Sequence, residues 1–362
     1  MAAAKLRVGV IGTSWWADLE HLPGLRARGD VEVTGLCGRN PETLAALAAK
    51  WQVPETYTDW RALVARGRLD VLFVSTPNVL HHEQALSGLE AGCHVVCEKP
   101  LAMNAAEARE MRDRARALGR QTLTFFTHRA IAASALVKRL VDAGHLGRPV
   151  HVAASYLSSS HLRPGKGAEW RMQRALSGTG VLGDIGSHIV DLVRWWLGDL
   201  TRVNGQWKTV TTERDGVSTN ADEQVSFLAQ LACGAQATFH ASKLAAGRGN
   251  FQRVELHGTG GSLVWEAEPG FDPTWEGRLW AGKPGATRLE PVPIPEDLKR
   301  GLDGPDPQAN RDEAFRRLTD PFFDAIRRGG ACEPDFADGA AVQAVLDAVA
   351  ASAEGGAWVE VG

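Results

Sequence analysis

Apolar and polar residues alternate with two different periods in the first third of the chain. Short, almost continuous apolar runs predict buried strands at 5–11, 31–36, 71–75, 94–97 and 122–126. Between these runs, apolar residues recur every three to four positions, which predicts helices at 15–28, 41–50, 80–91 and 105–118. Apolar strands that alternate with amphipathic helices predict a parallel sheet with helices on both faces.

The pattern changes after residue 126. A helix at 133–143 and a strand at 149–157 precede a long irregular stretch, 158–179, and a helix at 181–197 follows it. Successive strands are predicted from 202 to about 292, then helices at 311–328 and 337–351 and a last strand at 358–361. The fold class expected is therefore α/β in an N-terminal domain, 1–127, joined to a C-terminal α+β domain, 128–362, with a large, mostly antiparallel open sheet.

Composition excludes several classes of protein. The 362 residues are 44% hydrophobic and 23% charged with a formal net charge of −3, which gives no reason to expect a nucleic-acid partner. No apolar run predicts a membrane span, and the start of the chain lacks a signal-peptide core. Five cysteines without metal-ligand spacing predict free thiols, no metal site and a cytoplasmic protein. The length predicts two domains.

Lys99 lies two positions after the apolar run 94–97 and is followed by Pro100. In open α/β sheets, ligands bind outside the carboxyl ends of the strands, so a side chain at this place faces the ligand. Lys99 is therefore either a catalytic or ligand-binding group or a lysine that extends from a strand end into solvent.

The turn after the first strand reads Gly12-x-Ser14-x-x-Ala17. A dinucleotide fingerprint has G-x-G-x-x-G/A at this place, before a helix whose N-terminus attracts phosphate. Gly12 permits the tight turn and Ala17 permits close packing of helix against strand, whereas Ser14 replaces the middle glycine. The turn predicts dinucleotide binding, with an ordinary strand–helix turn as the alternative.

A second candidate group lies in the helix predicted at 181–197. Asp184, His188 and Asp191 are spaced by four and three residues, which places them on one helical face. A histidine on such a face can act as a general acid or base, because imidazole titrates near neutral pH. The alternative is structural, with Asp184 as a favourable charge in the first helical turn.

Three segments together resemble the Gfo/Idh/MocA oxidoreductases. The first runs from Asp70 through Thr76-Pro77-Asn78 and His81 to Glu98-Lys99-Pro100, the second is the Gly178–Asp191 motif, and the third is 336–352. The resemblance covers essentially the whole chain. It implies a Rossmann dinucleotide-binding domain, a nicotinamide cofactor, and hydride transfer to or from a hydroxyl or carbonyl of a sugar, cyclitol or related polyol. The motifs say little about which substrate.

The resemblance also implies roles for individual residues. The catalytic residues expected are Lys99, Asp184 and His188, with either Lys99 or His188 as the base. The residues expected to bind substrate are Lys99, His128, Arg171, Asp184 and His188. The residues expected to contact the cofactor are Gly12, Thr13, Ser14, Trp15, Gly38, Arg39, Asn40, Ser75, Thr76, Asn78, His81, Glu98, Lys99, Arg129, Trp170 and Arg171. Ion pairs at the domain interface are the alternative for the two arginines Arg129 and Arg171.

The tip of the second strand predicts NADP as cofactor, with NAD possible. NAD enzymes usually carry an acidic residue there, which holds the ribose hydroxyls and repels a 2′-phosphate. Here Gly38 and Arg39 occupy the tip, and no carboxylate follows before Glu42. A guanidinium makes paired hydrogen bonds to phosphate.

Two other functions remain open at this point: a cofactor-binding regulator without turnover, and an NAD-dependent glycosidase. A homodimer or homotetramer is expected, associating through the outer face of the second sheet. The alternating runs 225–231 and 235–241 are expected to supply apolar residues to that face.

Overall fold

The computed structural model describes residues 4–362 and divides the chain into two compact units. The first unit comprises Met1–Phe126 and Arg311–Ala340, and the second comprises Thr127–Asn310 and Ala341–Gly362. The sequence pattern predicted a continuous second domain over 128–362. The structure differs because residues 311–340 return to the first unit.

The sheet of the first unit has six parallel strands. They are β1 (Leu6–Ile11), β2 (Val31–Cys37), β3 (Glu55–Tyr57), β4 (Val71–Val74), β5 (His94–Cys97) and β6 (Thr122–Thr124). Their order in the sheet is β3-β2-β1-β4-β5-β6, with every neighbouring pair parallel. This order is that of a Rossmann domain, and it confirms the predicted fold class. The order reverses between β1 and β4, which is the place where such sheets bind nucleotides.

Five helices connect these strands. They are α1 (Leu22–Ala27), α2 (Pro41–Trp51), α3 (Trp60–Arg66), α4 (His81–Glu90) and α5 (Ala105–Ala117). A π-helical turn, Ala17–His21, precedes α1, and a 3₁₀ turn, Asn78–Leu80, precedes α4. The side chains of Asn40, Asp59 and Asn104 accept main-chain N–H groups and so begin α2, α3 and α5.

The second unit is built on a nine-stranded sheet with a separate two-stranded hairpin. The strands of the sheet are β7 (Pro149–Ser158), β8 (Leu200–Lys208), β11 (Gln224–Leu231), β12 (Gln236–Ser242), β13 (Asn250–Gly258), β14 (Ser262–Ala267), β15 (Arg278–Gly282), β16 (Glu290–Pro291) and β17 (Val359–Glu360); the hairpin is β9 (Glu213–Arg214) with β10 (Val217–Ser218). The order is β16-β15-β14-β13-β7-β12-β11-β8-β17. Every pair is antiparallel except β7 with β12. The predicted mostly antiparallel sheet is confirmed.

The helices that lie wholly in the second unit are α6 (Ala132–Asp142), α7 (Arg174–Ser177), α8 (Ser187–Leu197) and α9 (Glu296–Lys299). A π-helical turn, Leu182–Gly186, leads into α8. The long segment predicted as irregular also contains two 3₁₀ turns, Ser160–Leu162 and Trp170–Met172.

The two faces of the second sheet differ in polarity. Along β11, Val225 and Phe227 are buried together with Ala229, whereas Ser226 and Leu228 point to the other, accessible face. Leu228 is the one apolar residue of 225–231 and 235–241 on the accessible face, so the expectation that these runs supply an apolar outer face is wrong for the others. The strand period was predicted correctly, but the apolar side of the strand packs inward.

Two long helices near the end of the chain contribute to both units: α10 (Pro307–Arg328) and α11 (Phe336–Gly355). In the first unit, the ring of Phe315 lies against those of Phe73 and Phe125, and Phe336 belongs to the core formed by β4 and β5. Among the described residues, α11 is the one helix long and apolar enough to cross a membrane, but 61% of its apolar window is buried, as in a core helix.

Candidate active site

The turn after β1 leaves no room for a side chain at Gly12. Its φ is +130°, and an added Cβ would overlap the Ser75 carbonyl at the end of β4. The N–H of Gly12 donates to the Cys37 carbonyl (2.9 Å), which ties the turn to the end of β2. Ser14 and Trp15 are exposed on this turn. The close backbone approach that a pyrophosphate needs is therefore built into the turn, and these residues fit a bound dinucleotide.

Seven more of the residues expected at the cofactor lie at the same carboxyl edge of the first sheet. These are Thr13, Gly38, Arg39 and Asn40 around the end of β2, and Ser75, Thr76 and Asn78 after β4. Gly38 is buried against Thr13, because a Cβ there would overlap the Thr13 side chain. Asn40 is exposed, and its side-chain oxygen accepts the N–H groups of Glu42 and Thr43 (2.9 and 3.0 Å). Arg39 is exposed beside it.

Lys99 follows β5 at this edge, directly after Glu98, whose buried carboxylate accepts several hydrogen bonds. Trp16 Nε1–H and His21 Nε2–H donate to Glu98 Oε1 at 2.6 and 2.9 Å, and the Lys99 N–H donates to Glu98 Oε2 at 3.3 Å. Burial alone would raise the pKa of Glu98, but the hydrogen bond and charge of His21 hold it below its usual value. The structure thus uses Glu98, which we expected to meet the cofactor, to anchor the backbone of Lys99.

His81 also has an internal role. It is fully buried, with Nδ1 3.0 Å from the Pro100 carbonyl oxygen and Nε2 2.9 Å from the Thr76 carbonyl oxygen. The predicted cofactor contact is inconsistent with this burial. His81 instead links the segment after β4 to the segment that carries Lys99. Burial lowers its pKa.

In the second unit, Asp184 lies between two cations. Lys243 Nζ donates to Asp184 Oδ2, and Arg171 Nε lies 3.4 Å from Asp184 Oδ1. The Arg171 guanidinium also lies over the Trp170 ring, 4.3 Å from its centroid. The structure therefore brings Asp184 and Arg171 together in an ion pair inside the second unit, and substrate binding by these two residues stays a prediction.

His188 follows Asp184 by four residues, in the first turn of α8, and is nine-tenths buried. Its ring stacks on that of His128, with centroids 3.8 Å apart, and the Tyr156 ring is 6.3 Å away. The Tyr156 hydroxyl donates to Asn250 Oδ1 (2.7 Å). Burial, with the negative charge of Asp184, raises the pKa of Tyr156. Tyr156 is thus a neutral hydroxyl group close to the predicted catalytic residues.

Asp222 positions the turn that carries Asp184. Its carboxylate accepts the N–H groups of Gly180 (2.6 Å) and Leu182 (2.7 Å), and its own carbonyl accepts the N–H of Val181 (2.9 Å). A Cβ at Gly180 would overlap the Asp222 carbonyl, which explains the glycine. Three successive N–H groups at the start of the π-helical turn are therefore held by one residue.

Arg129 is used inside the second unit. Its Nε and Nη2 donate to the two carboxylate oxygens of Asp191 at 2.9 and 2.6 Å, and the two side chains are 5% and 1% exposed. The structure thus gives Arg129 an ion pair inside the second unit, rather than the predicted cofactor contact or the predicted ion pair at a domain interface. Asp191, which shares a predicted helical face with Asp184, is the partner that fixes Arg129.

Reasoning from the sequence missed Lys243, Asp222 and Tyr156. Lys243 directly follows β12, so the strand-end argument that selected Lys99 applies to it equally. Asp222 and Tyr156 carry no motif that distinguishes them from loop and strand residues. Within residues 4–362, no cluster of three or more His, Cys, Asp or Glu side chains could hold a metal ion.

Comparison with known proteins assigns both units. Residues 6–126 match the model of an oxidoreductase family with an NAD-binding Rossmann fold, and residues 134–264 match the GFO/IDH/MocA C-terminal domain. Levoglucosan dehydrogenase of Pseudarthrobacter phenanthrenivorans is 31% identical over 89% of this chain and 87% of that protein. The chain belongs to the Gfo/Idh/MocA oxidoreductase family. It is therefore an NAD(P)-dependent oxidoreductase, as the motifs predicted.

Two further relatives cover almost the whole chain. A levoglucosan dehydrogenase structure in complex with NADH superposes with a TM-score of 0.90 at 28% identity, over 99% of both chains. D-xylose 1-dehydrogenase (NADP(+)) 2 of Haloferax volcanii is 28% identical over 98% of this chain and 99% of that protein. One of these relatives is thus described in complex with NADH, and the other is named for NADP(+).

Proposed function

We propose that this protein oxidises a secondary hydroxyl of an uncharged cyclic sugar or anhydrosugar, or reduces the corresponding ketone. The observation that carries the proposal is the cluster of Asp184, Lys243, Arg171 and His188 in the second unit. Such a cluster offers a proton acceptor and several hydrogen-bonding groups, as a polyol requires. The relatives named for levoglucosan and D-xylose support a sugar as substrate.

Roles for individual residues follow from the chemistry of their side chains. When bound, the nicotinamide supplies the hydride acceptor. His188 accepts the proton of the reacting hydroxyl, because an imidazole titrates near neutral pH whereas a free lysine has a pKa of about 10.4. The ammonium of Lys99 stabilises the negative charge that develops on the reacting oxygen. Asp184 remains a carboxylate, held by two cations, and orients the sugar.

The test is turnover of a panel of sugars by the purified protein. Reduction of NADP⁺ or NAD⁺ is monitored by absorbance at 340 nm. The panel contains levoglucosan, methyl D-glucoside, D-xylose and scyllo-inositol. Lys99→Ala and His188→Asn should each lower kcat by about 10²–10⁴-fold while cofactor affinity stays near normal. A regulator without turnover would oxidise none of the panel. Two variants that turn over like the parent would refute the assignment of roles.

We further propose that NADP⁺ is the preferred cofactor. The Arg39 guanidinium is exposed at the tip of β2 and makes no hydrogen bond or ion pair with any residue in the described range 4–362. Asn40 stabilises the turn that presents it, through its two hydrogen bonds to the start of α2. An arginine without a protein partner at this tip suits a 2′-phosphate, and no carboxylate at the tip opposes it.

A further inference from the structure

Lys243 lies at an edge of the second sheet where several chain segments converge. β12 runs parallel to β7, with Ser242 paired to Leu157, so the carboxyl ends of both strands reach the same edge. Lys243 follows the end of β12, and His161 follows the end of β7 by three residues. The N–H of His161 donates to the Lys243 carbonyl (3.2 Å), which holds the two residues side by side.

The Lys243 ammonium is buried but only partly satisfied. The residue is 8% exposed, and its Nζ donates to Asp184 Oδ2 as its one hydrogen-bond partner within residues 4–362. An ammonium has three N–H donors, so two remain for a ligand. Burying a charged group with spare donors is costly unless another acceptor completes it. The position of Lys243 therefore points to an oxygen that is not part of the chain.

His161 offers the complementary group. Its Nδ1 lies 3.1 Å from Glu223 Oε1, and because a carboxylate only accepts, Nδ1 carries the proton. Burial, followed by the positive charge of Lys243, lowers the pKa of His161 to about 4, so the ring is neutral at physiological pH. Nε2 is then an acceptor, and no residue of the described chain donates to it.

We propose that Lys243 and His161 together bind one hydroxyl group of the sugar, which accepts from the Lys243 ammonium and donates to His161 Nε2. This inference rests on the proposed oxidation of a sugar at this site. Of the common substituents of a sugar ring, a hydroxyl both accepts and donates, whereas an ionised carboxylate has no proton to donate to His161 Nε2. The pair thus selects neutral sugars over acidic ones.

The experiment compares parent, Lys243→Met and the matched control Lys208→Met, in which an exposed lysine at the end of β8 receives the same change. Steady-state kinetics use the panel sugar that the parent oxidises best and each of its monodeoxy derivatives, together with the uronate methyl D-glucuronide beside its neutral counterpart methyl D-glucoside. Lys243→Met should raise KM for the sugar by about 10- to 100-fold, with a much smaller change in kcat, because a charged hydrogen bond in the ground state is lost. Lys208→Met should match the parent.

The deoxy derivatives identify the contact. For one derivative, parent and Lys243→Met should have the same KM, because the variant has nothing left to lose when that hydroxyl is absent. His161→Leu should no longer discriminate between this derivative and the intact sugar, so its KM should be similar for the two. If circular dichroism shows that Lys243→Met is unfolded, the same kinetic measurements are made on Lys243→Gln and interpreted in the same way.

The outcomes separate the two proposals. A parent that oxidises no sugar of the panel overturns the proposed function and this inference with it. A parent that oxidises a sugar, with Lys243→Met and Lys243→Gln matching Lys208→Met in KM, overturns the inference alone. A parent that prefers the uronate to the neutral sugar also overturns it.

Discussion

Arg39 provides a test of cofactor choice at the scale of one residue. The parent should have a higher kcat/KM for NADP⁺ than for NAD⁺, and Arg39→Ala should lose most of that preference, because a paired guanidinium–phosphate contact is removed. Arg109→Ala, an exposed arginine of α5, is the control and should keep the parent's ratio. A parent that favours NAD⁺, or an unchanged ratio in Arg39→Ala, contradicts the proposal.

His161 makes stability depend on pH. Its pKa is lowered from 6.5 to about 4 in the folded protein by burial and by Lys243, so the unfolded chain takes up a proton at a higher pH than the folded chain does. Stability present above pH 6.5 is therefore lost as the pH falls towards 4. With about 1.4 kcal/mol for each pH unit, the loss is about 3 kcal/mol.

The measurement is urea unfolding of the parent and His161→Gln at pH 7, 5.5 and 4.5. The parent should lose more of its free energy of unfolding than the variant as the pH falls, because glutamine does not titrate. Parallel pH dependences of the two proteins would show that His161 is protonated alike in both states.

At the scale of elements, the π-helical turn before α8 depends on Asp222. Asp222→Ala removes the acceptor of two buried N–H groups, at a cost of about 1–3 kcal/mol for each group left unpaired. The turn also carries Asp184, so kcat/KM should fall together with the melting temperature. Asp142→Ala is the control, since it breaks only an exposed ion pair with Lys138. A variant as stable as this control would show that the turn does not need Asp222.

The predicted elements agree with the structure where an apolar period was long enough to read. Five of the six strands of the first sheet were predicted within a few residues, as were the helices α2, α4 and α5 and the helical segment that ends with α8. The strand β3 and the helix α3 were missed. β3 has three residues at the sheet edge, and its exposed or half-buried side chains leave no apolar run.

The candidate site was predictable where position in the sheet implied chemistry, as for Lys99 and Gly12. It was not predictable where a long-range partner decides the role. Arg129 meets Asp191 62 positions away, and Glu98 meets His21 77 positions away. A single sequence does not reveal which of these polar groups satisfy one another, so both arginine and glutamate were expected at the cofactor.

At the scale of the whole molecule, we predict a dimer or tetramer formed through the outer face of the second sheet. Leu228 is 49% exposed on that face, among polar neighbours such as Ser226 and His240. Leu228→Asp should lower the mass measured by light scattering at micromolar concentration. Val150 is 45% exposed, but its side chain has the orientation of the buried residues of its strand, opposite to that of Leu228. Val150→Asp should therefore leave the mass unchanged. A monomeric parent would contradict the prediction.

The discontinuity of the first unit has a consequence for how the protein is made. Its core includes Phe315 and Phe336, which leave the ribosome only after the whole stretch Thr127–Asn310 has been synthesised. At about 5–20 residues per second, the emerging first sheet waits roughly ten to forty seconds with an apolar surface uncovered. The nascent chain therefore passes through a period in which its own helices α10 and α11 do not yet cover that surface.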